Sequence, residues 1–174
     1  MERSSHALAD DGRVWLIDPV EDEGALEAAT ALGEPAGVIQ LLDRHQRDCE
    51  SLADRYGVPH LRLPEDVPDS PFELGRTLWM PGWRELHLWW PERRLLVVSE
   101  ALGTGSYFAV GRRAGIHPML RLKPPGTPRR FEPEHLLSGH GPSIHGEAAA
   151  AIEEAYSHTR GDIPRAMKSM LRLG

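Results

Sequence analysis

The sequence is short of cysteine and lysine and has no long apolar run, and each shortage excludes something. Cys49 is the only cysteine, so an internal disulfide framework is impossible, and we expect a reducing, cytoplasmic location. No apolar run approaches the length of a membrane helix, and the first residues, MERSSHALADDG, contain no apolar leader segment, so we expect no membrane partner. Lys123 and Lys168 are the only lysines among 20 basic residues, an arginine bias typical of a GC-rich bacterial genome.

The composition also limits the partners and the number of domains. The formal net charge of the 174 residues is −6, and the basic residues form no block, so we expect no nucleic-acid partner. The length suits one domain with a sizeable core, and we predict that residues 1–174 form a single domain. A P-loop, a nucleophile elbow and a dinucleotide-binding glycine pattern are all absent from the sequence.

The most informative pattern lies in residues 38–60. Residues 38–42 are apolar apart from Gln40, which is typical of a buried strand. A polar loop follows, and then apolar residues recur at helical spacing until Gly57, the residue type that most often ends a helix. This order predicts a strand, a loop and a helix, with the loop at the carboxyl end of the strand, where open α/β sheets place their chemistry.

Other segments give clear expectations of secondary structure. Residues 13–18 predict a strand, and Asp22 predicts the start of a helix that carries Leu26, Ala29 and Leu32 on one face and ends at Gly33. Residues 74–98 predict two or three antiparallel strands, because apolar and other residues alternate there. The alanine-rich residues 147–156 predict a helix.

These features resemble, in their order, the metallo-β-lactamase superfamily. The metal-binding segment of that family reads H-x-H-x-D-H after a strand, and its ligand positions fall on Arg44, Gln46, Asp48 and Cys49. The other landmarks are Trp15-Leu16-Ile17-Asp18 for an early strand ending in Asp, Pro81-Gly82-Trp83 for Pro-Gly-His, Ser99-Glu100 for Gly-Asp, and Ser138-Gly139-His140-Gly141-Pro142 for Gly-His-Gly-Pro. The resemblance implies an α/β fold, specifically a four-layer αββα sandwich.

The family holds two metal ions, and the resemblance implies that the first of the two subsites is lost here. Its three positions are occupied by Arg44, Gln46 and Trp83. A guanidinium repels a cation, an amide is a poor zinc ligand, and an indole is no ligand. The metal centre is therefore expected to be degenerate.

The second subsite keeps residue types that bind metals. Its positions correspond to Asp48, Cys49, Glu100 and His140, which together could hold one zinc ion through carboxylates, a thiolate and an imidazole. The alternative is that no metal binds. Asp48 would then cap the following helix, Cys49 would be a small buried apolar residue, and His140 would hydrogen-bond within a glycine-rich turn.

Further residues are expected to line the same pocket. Arg44 could supply the missing positive charge by pairing with Asp48 or Glu100, which would satisfy a carboxylate without metal. His45 lies next to the site but matches no ligand position. Shifting the register by one residue brings His45 onto the second His, but it then places Arg47 on the Asp. The remaining pocket candidates are Gln46, Trp83 and His145.

Four tryptophans, Trp79, Trp83, Trp89 and Trp90, lie within twelve residues. They either pack within the sheet or form an apolar rim, which would line a cleft or make a dimer contact. A homodimer is therefore one possible assembly.

Three functions remain open from the sequence. The first is a binding or interaction protein for an unknown small molecule or protein, with a degenerate metal centre and no usual hydrolase activity. The second is a hydrolase of an ester, thioester or lactone-like bond that uses a single metal ion. The third is a structural, dimerising protein built around the tryptophans. The cofactor expected for the second is one zinc ion, and none is expected for the others.

Overall fold

The computed structural model describes residues 2–170, which form eleven strands and five α-helices. In chain order these are β1 (His6–Asp10), β2 (Arg13–Ile17), α1 (Glu23–Thr30), β3 (Glu34–Gln40), α2 (Cys49–Tyr56), β4 (His60–Arg62), β5 (Glu73–Met80), β6 (Trp83–Trp90), β7 (Leu95–Val98), β8 (Leu102–Gly103), α3 (Ser106–Ala109), β9 (Gly115–Ile116), β10 (His135–Ser138), β11 (Ile144–His145), α4 (Ala148–His158) and α5 (Ile163–Met170). Within the described residues, no helix combines the length and the apolar character needed to cross a membrane.

The strands form two main sheets and one small one. The first sheet has the order β1-β2-β3-β4, in which β2, β3 and β4 are parallel and β1 is antiparallel to β2. The second sheet has the order β11-β10-β7-β6-β5, in which only β10 and β7 are parallel. Strands β8 and β9 pair with each other. Each main sheet therefore has parallel neighbours whose carboxyl ends lie at one edge.

The alternation of side chains along these strands separates the apolar core into three clusters. Between the two main sheets lie side chains that include Trp15, Ile17, Ile39, Leu88, Val97 and Leu137. On the other face of the first sheet, Leu16 and Val38 pack with residues of α1 and α2. On the other face of the second sheet, Leu96, Val98 and Leu136 pack with α4. The order helix, sheet, sheet, helix confirms the predicted αββα sandwich.

Local signals fix the ends of the helices. The carboxylate of Asp22 accepts a hydrogen bond from the Ala25 backbone N–H at 2.8 Å, as predicted for the start of α1. Helix α2 ends at Gly57 in the left-handed conformation, with φ of +64°, which glycine adopts without strain. The prediction that the helix extends to Leu32 was wrong, because α1 ends at Thr30 and Leu32 is 56% exposed.

The tryptophans of the β5–β6 hairpin do not share one face. Trp83 is buried on the α4 side of the second sheet, whereas Trp90 is buried between the two sheets. Trp89 packs against Phe131, with ring centroids 5.0 Å apart. Trp79 is 45% exposed at a groove beside the hairpin. Sheet packing therefore accounts for Trp83 and Trp90, and a subunit contact through the hairpin stays a prediction.

A buried histidine makes the fold sensitive to acid. His87 is 5% exposed, its Nδ1 lies 3.1 Å from the Thr77 hydroxyl, and burial lowers its pKa from 6.5 to about 4. Between pH 6.5 and about 4, the unfolded chain therefore binds a proton that the folded chain does not. As the pH is lowered through this window, the free energy of unfolding should decrease, and this residue should account for ~3 kcal/mol of the decrease.

Denaturant unfolding of the wild type and of His87→Gln, measured at several pH values in this window, tests this expectation. The variant should show a shallower dependence of unfolding free energy on pH, by close to one proton. Equal slopes for the two proteins would contradict the assignment.

Candidate functional site

Residues that follow the carboxyl ends of four strands meet at one edge of the sandwich. Asp18 follows β2, residues 43–48 follow β3, Glu100 follows β7, and His140 follows β10. Several of them line a cleft of about 480 Å³. The residues that line it are Arg3, Arg44, His45, Arg47, Glu100 and His140. The chemistry-bearing loops thus lie where the strand order predicts them.

The carboxylate of Asp18 connects both sheets at this edge. Asp18 is 3% exposed, and its Oδ1 accepts a hydrogen bond from the Leu41 backbone N–H at 3.0 Å. Its Oδ2 accepts from the Ser99 hydroxyl at 2.7 Å and lies 3.1 Å from His45 Nδ1. Because an ionised carboxylate only accepts, His45 carries its proton on Nδ1. The Nε2 atom of His45 is therefore left with a lone pair.

The ring of His140 is held in the same way. His140 is 5% exposed, and its Nδ1 lies 2.8 Å from the backbone carbonyl oxygen of Glu2, to which it donates. Its Nε2 is buried and has no hydrogen-bond partner among the described residues. Burial lowers the pKa of His140, which favours the neutral ring. A buried lone pair is thus left unsatisfied at the cleft.

Three possible metal ligands converge at this point. His45, Glu100 and His140 each offer one donor atom, and these atoms lie within 4.8 Å of one another. Two imidazoles and a carboxylate suit a divalent transition metal. Within residues 2–170, these three residues form the one group of three or more His, Cys, Asp or Glu side chains that could hold a metal ion.

A positive charge of the chain itself lies beside these ligands. One terminal nitrogen of Arg44 donates to Glu100 Oε2 at 2.5 Å, so the predicted pairing of Arg44 with a carboxylate is confirmed, with Glu100 as the partner. The Arg44 guanidinium also lies over the Trp83 ring, 4.2 Å from its centroid. The Arg44 side chain is 44% exposed and that of Glu100 is 13% exposed.

The loop that carries Glu100 is held by a residue that the sequence analysis missed. Glu85 is fully buried, and its carboxyl group accepts from the backbone N–H groups of Ser99, Glu100 and Ala101. Its Oε2 also accepts from Trp83 Nε1 at 3.2 Å. Burial raises the pKa of Glu85. The sequence contained a signal for this role, because Glu85 is an acidic residue in β6 whose neighbours on the same face of the strand are aromatic.

Arg47 ties the same edge together through backbone oxygens. Its guanidinium donates to the carbonyl oxygens of Ser4, Asp18 and Gly139, at 2.7, 2.6 and 3.2 Å. These contacts join the N-terminal segment to the ends of β2 and β10. Arg47 is therefore chiefly a structural member of the cleft wall.

Two of the predicted metal ligands lie away from the three-donor group. Cys49 is fully buried in the cluster between the first sheet and helices α1 and α2, and its Sγ lies 3.6 Å from the backbone oxygen of His45. Burial raises the pKa of the Cys49 thiol to about 12. Asp48 stands at the N-cap position of α2, but its carboxylate accepts from the Glu21 backbone N–H and not from the helix. The structure brings together only Glu100 and His140 of the predicted four.

Only some of the other predicted pocket residues line the cleft. Arg44 and His45 line the cleft as predicted, and His45 joins the donor group although it matches no ligand position of the motif. Gln46 borders a neighbouring polar groove of about 510 Å³. Trp83 is in the core beneath Arg44. His145 is exposed on β11, where its Nδ1 lies 3.1 Å from His135 Nδ1, and it is not among the residues that line the cleft.

Known proteins share the fold of this chain but little of its sequence. No protein-family model and no curated protein sequence matches it. The solved structure of DIM-1 metallo-β-lactamase superposes with a TM-score of 0.60 at 12% identity, covering 91% of this chain and 85% of the other. The chemotaxis sensor ODP, solved as a peroxy diiron species, gives 0.61 at 13% identity, covering 92% and 87%. TTHA1623 in a di-iron-bound form gives 0.58 at 14% identity, covering 85% and 92%.

The chain therefore has the metallo-β-lactamase fold. Identities of 12–14% establish the fold alone, because the same fold supports a β-lactamase and a chemotaxis sensor. The function of this chain has to be argued from its own cleft.

The burial of Cys49 leads to a direct test of its role. With a pKa near 12, the thiol should be roughly a thousandfold less ionised at pH 8 than an ordinary thiol, and no solvent reaches it. A disulfide reagent such as DTNB should label the native protein only on the timescale of unfolding, and should label one thiol at once in guanidinium chloride. Fast, complete labelling of the native protein would place Cys49 at the cleft surface.

Proposed function

We propose that this metallo-β-lactamase-fold protein has a degenerate two-metal centre and works as a binding protein for a small anionic molecule. The observation that carries the proposal is the Arg44 guanidinium, which pairs with Glu100 and stacks on Trp83 at the head of the cleft. A positive charge of the chain thus stands beside the carboxylate that would otherwise face only a metal ion.

The residues present do not fit a two-metal centre. Arg44, Gln46 and Trp83 occupy the first subsite of the family pattern, and none of them ligates a divalent ion. In the second subsite, Cys49 is turned into the core. Hydrolysis by two metals needs both ions to stabilise the attacking and leaving oxygens. We therefore infer that this chemistry has been lost.

The charges around the cleft favour an anionic ligand. Three arginines line it, and Glu100 is the one acidic residue among the lining side chains. The guanidinium of Arg47 is used by backbone carbonyls, so the donors left for a ligand belong to Arg44 and to the exposed Arg3. A cleft of about 480 Å³ has the size of a small-molecule site. Arginine pairs well with carboxylate and phosphate groups.

A hydrolase that uses one metal ion is the second candidate, and the convergence of His45, Glu100 and His140 favours it. A divalent ion held by these residues would supply Lewis-acid chemistry toward an ester, thioester or lactone-like bond. Asp18 would hold the ring of His45, and Glu85 would hold the loop that carries Glu100. The nearby arginines would bind the negative charge of a substrate.

The cellular location and the oligomeric state of the protein stay predictions from the sequence. The single cysteine favours a cytoplasmic location. A homodimer contact, if one forms, would be expected at the β5–β6 hairpin, where Trp79 and Met80 are both about half exposed.

Assays of hydrolysis separate the two candidates. With added zinc, a chromogenic β-lactam and a p-nitrophenyl ester should each be turned over well below ~1 per second, the lower end of ordinary enzyme rates. Turnover at or above that rate, lost on addition of chelator and lost in Glu100→Gln, would establish the single-metal hydrolase instead.

Anion binding tests the proposed role itself. Inorganic phosphate or citrate, added to chelator-treated protein at constant ionic strength, should raise the midpoint of thermal unfolding by a few degrees. Arg44→Gln should remove most of this increase. The matched control is Arg76→Gln, because Arg76 also lies over a tryptophan, 4.5 Å from the Trp79 ring centroid, but outside the cleft. An equal increase in all three proteins would contradict the proposed site.

A further inference from the structure

We propose that His45, Glu100 and His140 form a site for a single divalent transition-metal ion, and that Arg44 competes with this ion for Glu100. This site goes beyond the proposed anion-binding role, since metal binding could fail while anion binding stands. It also differs in its residues from the ligand positions of the sequence motif, because His45 takes part and Asp48 and Cys49 do not.

The two histidines are already oriented as ligands. Each ring uses Nδ1 for a hydrogen bond, His45 to the Asp18 carboxylate at 3.1 Å and His140 to the Glu2 carbonyl oxygen at 2.8 Å. Both Nε2 lone pairs are thereby available. Metal-binding histidines in proteins usually donate their second nitrogen to a carboxylate or carbonyl group in this way. The chain has therefore fixed the tautomers that a metal ion requires.

The second observation is the unsatisfied nitrogen of His140. This residue is 5% exposed, and its Nε2 has no hydrogen-bond partner among the described residues. Leaving a buried polar atom unpaired is unfavourable. An ion bound between His140, His45 and Glu100 would accept this lone pair, whereas none of the arginines that line the cleft donates to it.

Glu100 is the residue that both cations need. Its backbone N–H is fixed by Glu85, so its side chain stays at the cleft whichever cation it meets. In the structure its Oε2 accepts from Arg44. A metal ion bound to the same carboxylate would bring a second positive charge next to the guanidinium, and like charges in contact repel.

Arg44 is able to leave this position. Its side chain is 44% exposed, and its planar face rests on the Trp83 ring and not within the core. A long, flexible side chain at such a place can turn toward water at small cost. Removing its charge should therefore strengthen metal binding, while the three ligands and the buried carboxylates behind them stay in place.

The experiment is a zinc titration of the full chain after removal of metal with chelator. Isothermal titration calorimetry and elemental analysis should give one zinc per chain for the wild type. Arg44→Gln should lower the zinc dissociation constant by roughly tenfold, because both the ion pair and the repulsion are lost. Arg76→Gln, the matched control outside the cleft, should leave the dissociation constant unchanged.

Further variants identify the ligands. His140→Ala and Glu100→Gln should each lose zinc binding, and circular dichroism establishes that each variant is folded. Glu100 is partly exposed, so Glu100→Gln provides the test even if His140→Ala does not fold. Cys49→Ser should bind zinc as the wild type does, and a cobalt-substituted protein should show no cobalt–thiolate charge-transfer absorption.

Several results would overturn the site. These are no zinc binding by either the wild type or Arg44→Gln, two zinc ions per chain, unchanged binding in folded Glu100→Gln, or loss of binding in Cys49→Ser. An Arg44→Gln protein that binds zinc no more tightly than the wild type would refute the competition. None of these results depends on phosphate or citrate binding, so the metal site and the anion site are tested separately.

Discussion

The buried carboxylate of Asp18 is the contact on which the cleft depends. It receives hydrogen bonds from the loop after β3 and from Ser99 after β7, so one side chain links the two sheets where they both end. It also fixes the proton of His45 on Nδ1. Because a buried charge is stable only when its partners are in place, the loops of both sheets must close around it together. Glu85 acts similarly for the loop of Glu100. These two buried carboxyl groups position the side chains that face the cleft.

On this scaffold the chain places a cation of its own, the Arg44 guanidinium, at the cleft. The di-iron-bound structures of ODP and TTHA1623 share the sandwich. Here the Arg44 guanidinium satisfies Glu100 and rests on Trp83. Donor atoms of His45, Glu100 and His140 nevertheless lie within 4.8 Å of one another, beside arginines that favour an anion. The proposal of a single metal site and an anion site, in place of a two-metal centre, rests on this arrangement.

Individual strands and helices could be predicted from the sequence because they follow from periodicity and capping, whereas their layering was implied by the family resemblance. The alternation in residues 74–98, the Asp22 cap and Gly57 all act locally, and the structure contains each of them. The exposed Leu32 marks the limit of such signals, since one residue decides where α1 ends. The order of landmarks was enough to place the cleft.

The identity of the donor group was harder to predict. Cys49, Leu52 and Ala53 stand at helical spacing on one apolar face of α2, so the sequence itself contained the reason why the thiol points into the core. The role of His45 depends on the path of residues 43–48 and on a carboxylate 27 positions earlier in the chain, and no local pattern encodes that contact. His140 was predicted because residues 138–142 resemble the Gly-His-Gly-Pro loop of the family.

The most direct test of the account is a pair of crystal structures, one of chelator-treated protein and one soaked with zinc, with anomalous data at the zinc edge. We expect the Arg44 guanidinium on Glu100 in the first. In the second we expect one anomalous peak bounded by His45, Glu100 and His140, with Arg44 turned toward solvent. Two peaks, a peak at Cys49, or a metal-free structure in which Arg44 does not contact Glu100 would contradict the central claim that the chain supplies its own cation at this site.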